Sequence, residues 1–79
     1  MPRYFFDIDT DKHFGDDDGT DLADDEEARA QAVIFTGDYL SDHPAMARDS
    51  ARLRVAVRDG QGNVLLTATV TIEEPRAPA

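Results

Sequence analysis

The sequence predicts an α+β domain in the order ββαββ: a four-stranded, mainly antiparallel sheet with one helix packed on one of its faces. Three observations predict this class. Apolar and polar residues alternate near both ends of the chain, as in half-buried strands. Residues 22–40 between them carry a long helical repeat. Turns containing aspartate, in one case with glycine, separate the strands of each pair.

The first two strands are expected to form a hairpin. In residues 3–9 aromatic and aliphatic side chains take every second position, and acids fill positions between them. A polar turn leads to a short second strand at 13–14. The following segment, 15–20, consists of glycine, aspartate and threonine and is expected to be an irregular loop.

The helix start is well signalled, because Asp24 can accept a hydrogen bond from a first-turn amide and Glu27 follows three residues later, as in a capping box. Pro44 ends the helix. Ile34 lies off the apolar stripe and is either a lone exposed aliphatic residue or part of an interface. The stripe expected to face the sheet is Ala28, Ala32, Phe35 and Tyr39, widened by Val33, Thr36 and Leu40.

Two further strands follow a connection that has room for a helical turn at residues 45–48. The third strand is expected at 52–58 and the fourth at 64–73, since both alternate between apolar and polar side chains. Residues 1–73 therefore form a single domain. Residues 74–79 have nothing to bury and are expected to be a disordered tail.

The charge of the chain argues against two classes of partner. The formal net charge is -9, whereas nucleic acids and anionic membranes attract positive surfaces. The charge is also uneven, because residues 7–27 carry eleven acids and residues 43–58 carry four arginines. No segment is typical of a signal peptide or a membrane span, and the chain has no cysteine, so a cytoplasmic protein is expected.

The small size of the domain favours association with another chain. A chain of 79 residues buries about 60% of the surface that it exposes when unfolded, which leaves little margin of stability. Disulfides and cysteine-based zinc sites, which stabilise many small domains, are both ruled out by the lack of cysteine. We therefore expect a homodimer or a complex with a protein partner, and no cofactor.

One helix can cover one face of four strands, so the other face is left open. It is either solvated and held by cross-strand ion pairs, or it is a dimer interface with an apolar centre at Phe5, Ala56 and Leu65. Acids at Asp7 and Asp9 lie on the same face. The interface candidates are Phe5, Arg52, Arg54, Ala56, Arg58, Leu65, Thr67 and Thr69.

The acidic segments are weak candidates for a divalent-cation site. Alternating aspartates from Asp7 onward resemble the start of a calcium loop, because a hard cation needs several oxygens from one short segment. Lys12 stands where such a loop needs glycine, and Asp18 stands where it needs a bidentate glutamate. The candidate ligands are Asp9, Asp11, Asp16, Asp17, Asp18 and Asp21.

No catalytic constellation is visible in the sequence. Ser41, Asp42 and His43 are the three residue types of a hydrolase triad, but three neighbours at a helix end cannot take up the geometry of nucleophile, base and orienting acid. We therefore expect a protein that is not an enzyme.

Four segments carry a resemblance to a family of short uncharacterised proteins of alphaproteobacteria, classed as a domain of unknown function. The resemblance covers most of residues 1–72 and implies no activity. The chain departs from that family's pattern at residues 9–12. A looser likeness, in architecture alone, is to the partner-binding domain of bacterial HicB-type antitoxins. The segments are Met1 to Ile8, Asp17 to Leu22, Asp24 to Ala32, and Val55 to Asp59.

The leading hypothesis is a non-enzymatic, cytoplasmic interaction module that forms a homodimer through the open sheet face or an edge strand. One alternative is an acidic protein that binds divalent cations weakly. The other is an antitoxin-like protein that binds a small basic protein.

Overall fold

A computed structural model describes residues 1–47, 51–73 and 75 and confirms the α+β class. One long helix and an antiparallel sheet make up the fold, and a short 3₁₀ turn, Pro44–Ala47, follows the helix. The elements are β1 Arg3–Asp9, β2 His13–Phe14, β3 Thr20–Asp21, α1 Asp25–Asp42, β4 Ala51–Arg58 and β5 Val64–Ile72.

The sheet has the order β2-β1-β4-β5, and β3 is a fifth short strand that also pairs with β1. Every pairing is antiparallel. The β3 segment was expected to lie at the end of a loop. It forms a strand because the outer edge of β1 is free where Tyr4 pairs with Thr20. The sequence did not predict this strand, since two residues are too few to show an alternating pattern.

The core lies between α1 and the inner strands. Leu53, Val55 and Val57 of β4 are completely buried, and so are Ala28 and Ala32 of the helix. The two alanines allow α1 to approach the sheet closely, which explains why small residues occupy the first turns of its apolar stripe. The helix therefore packs mainly over β4 and β5.

The predicted helix start is confirmed. Asp24 is the N-cap, and its side chain accepts a 2.8 Å hydrogen bond from the amide of Glu27. Asp24 thus satisfies an amide that the helix leaves free. The Glu27 carboxylate in turn accepts a hydrogen bond from the amide of Ala23, which precedes the cap.

The helix stripe is narrower than the sequence predicted. Val33 was expected to widen it, but 60% of Val33 is exposed. Because the buried residues centre on Ala32, Val33 lies about 100° around the helix from that centre and points to solvent. Thr36, also expected in the stripe, is buried, and its hydroxyl donates to the Ala32 carbonyl at 2.7 Å.

A β-bulge corrects the expected orientation of Leu65. Val57 pairs with Leu66, and Arg58 pairs with Val64, so Leu65 is an extra residue between them. Both leucines pack against the core, and 60% of Val64 is exposed. Leu65 therefore does not belong to the open face of the sheet.

A partly buried hydrogen bond joins the sheet to the helix start. The Tyr4 hydroxyl donates to the Asp25 carboxylate at 2.7 Å, and only 2% of Tyr4 is exposed. The bond to the charged Asp25 carboxylate and the burial of the ring raise the pKa of the Tyr4 hydroxyl to about 12. Tyr4 is thus held in its protonated, donating form.

Two of the sequence predictions lie wholly or partly outside the described residues. The helical turn expected at residues 45–48 corresponds to Pro44–Ala47, but residue 48 is not described. The expected tail at 74–79 lies outside the described residues except for Pro75. In the described part of the chain, no helix has the length and apolar composition needed to cross a membrane.

Candidate interaction surfaces

The open face of the sheet is partly covered by its own residues. Arg58 lies over the ring of Phe5, with the guanidinium carbon 4.6 Å from the ring centroid. The same guanidinium donates from Nε to the Asp7 carboxylate at 2.8 Å. Phe5 and Asp7 neighbour each other on β1, and Arg58 and Ala56 pair with them from β4. The arginine therefore shields the aromatic ring that was expected at the centre of an interface.

The acidic loop, residues 15–19, folds back over this face. The Asp16 amide donates to Asp7 Oδ1 at 2.9 Å, and its carbonyl accepts from Arg58 Nη2 at 2.9 Å. Gly19 has φ +76°, and a β-carbon there would lie 2.9 Å from the Phe5 ring. Glycine is required at this position because the loop backbone runs against the aromatic side chain.

Asp16 is the residue that fixes the loop to the sheet. Its carboxylate accepts hydrogen bonds from the amides of Phe6, Asp18 and Gly19, each at 3.1 Å. The Phe6 amide lies on the outer edge of β1 between its pairings with β2 and β3, where the ladder is interrupted. The Asp16 side chain thus replaces a strand partner that is missing there.

The pKa values of the two carboxyls reflect these contacts. Partial burial alone would raise the pKa of Asp7, but hydrogen bonds from Arg58 and from the Asp16 amide outweigh burial and hold it below 3.8. Burial likewise opposes ionisation of Asp16, and the three amides lower its pKa nevertheless. The Asp7 hydrogen bond raises the pKa of Arg58. At neutral pH both carboxylates and the guanidinium are charged, and Arg58 balances one of the two negative charges.

The six candidate metal ligands are not brought together. Asp9 contacts the His13 ring, and Asp21 pairs with Arg3 at 3.1 Å. Asp16 is occupied by amides, while Asp11 accepts from the Thr10 hydroxyl at 3.0 Å. Within residues 1–47, 51–73 and 75, no three acidic, histidine or cysteine side chains are grouped as a metal site would need. The remaining two candidates are Asp17 and Asp18, and both are exposed.

The remaining interface candidates lie on the open face as expected. Arg54 pairs with Thr69 and Ala56 with Thr67, so these side chains form rows across β4 and β5. Arg52 extends the arginine row by one more pair, opposite Thr71. With Leu65 in the core and Phe5 covered, this face has no apolar centre and presents mainly arginine and threonine.

β5 forms the outer edge of the sheet and pairs with β4 alone among the described strands. Its nine residues, Val64–Ile72, include no charged residue and no proline. Within the described part of the chain, the backbone groups on its outer side have no strand to pair with. This free edge is the first candidate interaction surface.

The second candidate is an apolar groove that the sequence did not reveal. We call it the α1–β1 groove. Its main part has a volume of about 410 Å³, and Phe6 and Phe35 stack across it with centroids 6.0 Å apart. An adjoining part, which shares Gln31 and Phe35 with the main part, is lined by Ile34. The signal in the sequence was Ile34, which lies off the helix stripe and is 52% exposed. The apolar residues of the main part are Phe6, Ile8, Phe14, Leu22 and Phe35.

His43, the histidine of the triad-like run at the helix end, has a local structural role. The His43 ring stacks on Tyr39 with centroids 4.0 Å apart, and its Nδ1 donates to the Tyr39 carbonyl at 2.8 Å. The His43 amide bonds to the Leu40 carbonyl. These contacts satisfy carbonyls that the helix end leaves free, and they direct the imidazole to the backbone and not toward Ser41.

One comparison with known proteins gave a match. A family model described as "Domain of unknown function (DUF6894)" matches residues 3–71. Neither a curated protein nor a solved structure matches the chain.

Proposed function

The chain belongs to the DUF6894 family, and since that domain has no known function, we propose one from the geometry: a non-enzymatic interaction module that forms a homodimer by pairing β5 with β5 of a second copy. The observation that carries this proposal is the free, uncharged, nine-residue edge of β5. Most proteins protect such an edge with charge, proline, a bulge or a covering segment, because it can pair with another strand. Here the single bulge lies at one end and leaves residues 66–72 regular.

The pattern of β5 is self-complementary about Ala68. If two copies pair antiparallel with Ala68 at the twofold axis, Thr67 meets Thr69 of the second copy, and Leu66 meets Val70. The threonine row then continues across the open face, and the apolar row continues on the helix face. Thr–Thr and aliphatic cross-strand pairs both stabilise antiparallel sheets.

The edge is better suited to association than the open face. Phe5 lies under Arg58 and the acidic loop, and Leu65 packs in the core. Two of the three residues expected at an apolar interface centre are therefore unavailable on that face. Ala56 alone remains, between arginines, and two copies of this face would bring like charges together.

The experiment that tests the proposal is a measurement of mass in solution, by light scattering or sedimentation, for the protein and two lysine variants. Thr67→Lys adds charge to the free edge opposite Ala56, where no arginine is paired with it. Thr20→Lys adds the same charge on β3, at the opposite side of the sheet. We expect dimers for the parent and for Thr20→Lys, and monomers for Thr67→Lys.

A monomeric parent at concentrations well above micromolar would contradict the proposal. So would a Thr67→Lys variant that dimerises as the parent does. Urea unfolding of each variant, extrapolated to high dilution, separates loss of the dimer from loss of the fold.

The other hypotheses stay predictions. Weak cation binding predicts a rise in melting temperature in millimolar Ca²⁺ or Mg²⁺, because a ligand of the native state stabilises it. The scattered positions of the six aspartates give it little support. The antitoxin-like role and the cytoplasmic location rest on the sequence alone.

A further inference from the structure

The α1–β1 groove is an apolar surface separate from the β5 edge. It continues past Gln31 and Phe35 into a shallower region of about 320 Å³ along the helix. That region is lined by Ile34, Tyr39 and two acids. The groove remains open because α1 packs over β4 and β5, so that the apolar row of β1 is only partly covered.

The exposure of its walls is unusual for side chains of this kind. Phe14 and Ile34 are each 52% exposed, and Phe6, Ile8 and Phe35 are half-buried. A contiguous exposed apolar surface of this sort marks an interaction site more often than scattered apolar residues do. The exposed position of Phe14 also costs stability, because Phe14 lies in a two-residue strand at the edge of the sheet and has little packing around it.

Among the described residues, the charges that line the groove are of one sign. They are Asp16, Asp38 and Asp42, with no lysine or arginine among the described lining residues. Asp42 is the last residue of α1, and the last turn contains no basic residue. A carboxylate at this negative end of the helix dipole costs stability instead of adding to it. A positively charged partner segment would offset that cost.

The shape of the groove favours a helix over a strand. From Gln31 to Asp42 the groove runs beside α1 for about 17 Å, which is about three helical turns. The neighbouring edge of β1 is broken, because residues 15–19 leave the sheet between β2 and β3. An incoming strand would find no continuous ladder there, whereas an apolar helix face needs none.

We propose that the α1–β1 groove binds an amphipathic helix of a partner protein, with Lys or Arg residues flanking its apolar face. Apolar side chains of the partner contact Phe6, Phe14 and Ile34, and its basic side chains lie beside Asp38 and Asp42. This surface lies on the opposite side of the sheet order from β5, so the proposal does not depend on the homodimer.

The test uses a labelled Leu/Lys helical peptide of about 14 residues, with Leu at helical spacing along one face. The control peptide has Glu in place of Lys. Binding is measured by fluorescence anisotropy and by methyl NMR of the isoleucines, which are Ile8, Ile34 and Ile72. We expect the Leu/Lys peptide to shift Ile8 and Ile34, which line the groove, and to leave Ile72 on β5 unchanged.

Two adjacent helix positions provide a matched pair of variants. Ile34→Lys places a positive charge in the groove, whereas Val33→Lys places it on an equally exposed side chain about 100° away around the helix. We expect Ile34→Lys to weaken Leu/Lys peptide binding at least tenfold and Val33→Lys to change it less than threefold.

Three results would overturn the proposal: no binding of the Leu/Lys peptide at about 100 μM, equal binding of the Leu/Glu peptide, or equal loss of binding in the two lysine variants. Circular dichroism checks that both variants fold, which we expect because neither residue is buried. A peptide-induced shift of Ile72 alone would place binding at β5 and would also contradict the assignment.

Discussion

At the scale of single residues, the contacts of two loop residues determine how the acidic loop lies on the sheet. Gly19 lets the backbone pass over Phe5, and Asp16 bonds to the exposed edge of β1. Arg58 and Asp7 complete the cluster from the strands. These residues cover the part of the open face that the sequence suggested as an interface. Of the two contacts expected, the open face and an edge strand, we therefore propose the edge.

Alanine substitution of two glycines separates backbone strain from steric overlap. Gly19 and Gly62 both have positive φ, at +76° and +89°, but a β-carbon at Gly62 would meet nothing within 4 Å. We expect Gly62→Ala to cost about 1–2 kcal/mol of unfolding free energy, from the left-handed backbone alone. Gly19→Ala should cost about 1–3 kcal/mol more, from overlap with Phe5 and Arg3. Urea unfolding measures both, and equal losses would contradict the loop packing described.

Removal of the Asp16 charge should destabilise the fold. Asp16→Asn leaves one carbonyl oxygen where a carboxylate accepted three amide hydrogen bonds, and we expect a loss of about 1–3 kcal/mol by urea unfolding. Asp17→Asn, one residue along and exposed, is the control and should change stability by no more than about 0.5 kcal/mol. An Asp16→Asn variant with an unchanged unfolding free energy would show that the carboxylate does not hold the loop.

The lowered pKa values of Asp7 and Asp16 predict acid sensitivity. Their ordinary value is 3.8, and the folded-state values lie below it. As the pH falls through 3.8, the unfolded chain takes up protons first, so the stabilisation present above that pH is progressively lost. Urea midpoints should fall between about pH 6 and about pH 3, and less steeply in Asp16→Asn. If the urea midpoint of Asp16→Asn fell as steeply with pH as that of the parent, ionisation of Asp16 would not be a source of the acid sensitivity.

At the scale of elements, the ends of α1 differ in how well their charges match the helix dipole. Asp25, Glu26 and Glu27 lie in the first turn, where carboxylates are stabilising, and Asp42 ends the helix, where they are not. The charges at the start of the helix therefore stabilise the fold. The acidic end is explained better by the proposed basic partner of the α1–β1 groove.

Neutralising one acid at each end of α1 should change stability in opposite directions. Asp42→Asn is expected to raise the unfolding free energy by about 0.3–1 kcal/mol, and Glu26→Gln to lower it by a similar amount. Asp42→Asn should also weaken binding of the Leu/Lys peptide, whereas Glu26→Gln should leave that binding unchanged. Thermal unfolding and peptide titration measure the two effects, and an Asp42→Asn variant that binds the peptide as the parent does would argue against the acidic rim.

Elements with strong local patterns were predictable from the sequence, and long-range contacts were not. The bounds of β1 and the Asp24 cap were predicted correctly because alternation and capping are local. The bulge at Leu65 escaped prediction because Val64, Leu65 and Leu66 are all apolar, so the sequence does not show where the phase of the alternation changes. The loop over Phe5 and the α1–β1 groove depend on how distant segments meet, which a single sequence does not encode in its spacing.

At the scale of the whole molecule, the two proposed surfaces lie on opposite sides of the sheet. The order β2-β1-β4-β5 places the free edge at β5 and the groove beside β1 and β2. A dimer formed through β5 would therefore present two grooves at its outer ends. Association with a second copy and binding of a basic helix are compatible in one assembly.

Salt should affect the two interactions oppositely. Each chain carries a formal net charge of -9, so pairing through the uncharged β5 brings two acidic molecules together, and screening favours it. Binding of the Leu/Lys peptide depends on attraction, and screening weakens it. Sedimentation and anisotropy between about 0.02 and about 0.5 M salt measure these trends. Dimerisation that weakens with salt would mean that charged residues, and not the β5 edge, form the contact.

The most direct test of the β5 pairing is backbone amide hydrogen exchange as a function of protein concentration. In the dimer, alternate amides between Leu66 and Thr71 gain a hydrogen-bond partner across the twofold axis. We predict that these amides become protected as the concentration rises, while the outer amides of β3 exchange at an unchanged rate. A dimer whose β5 amides exchange as fast as those of the dilute protein would contradict the account.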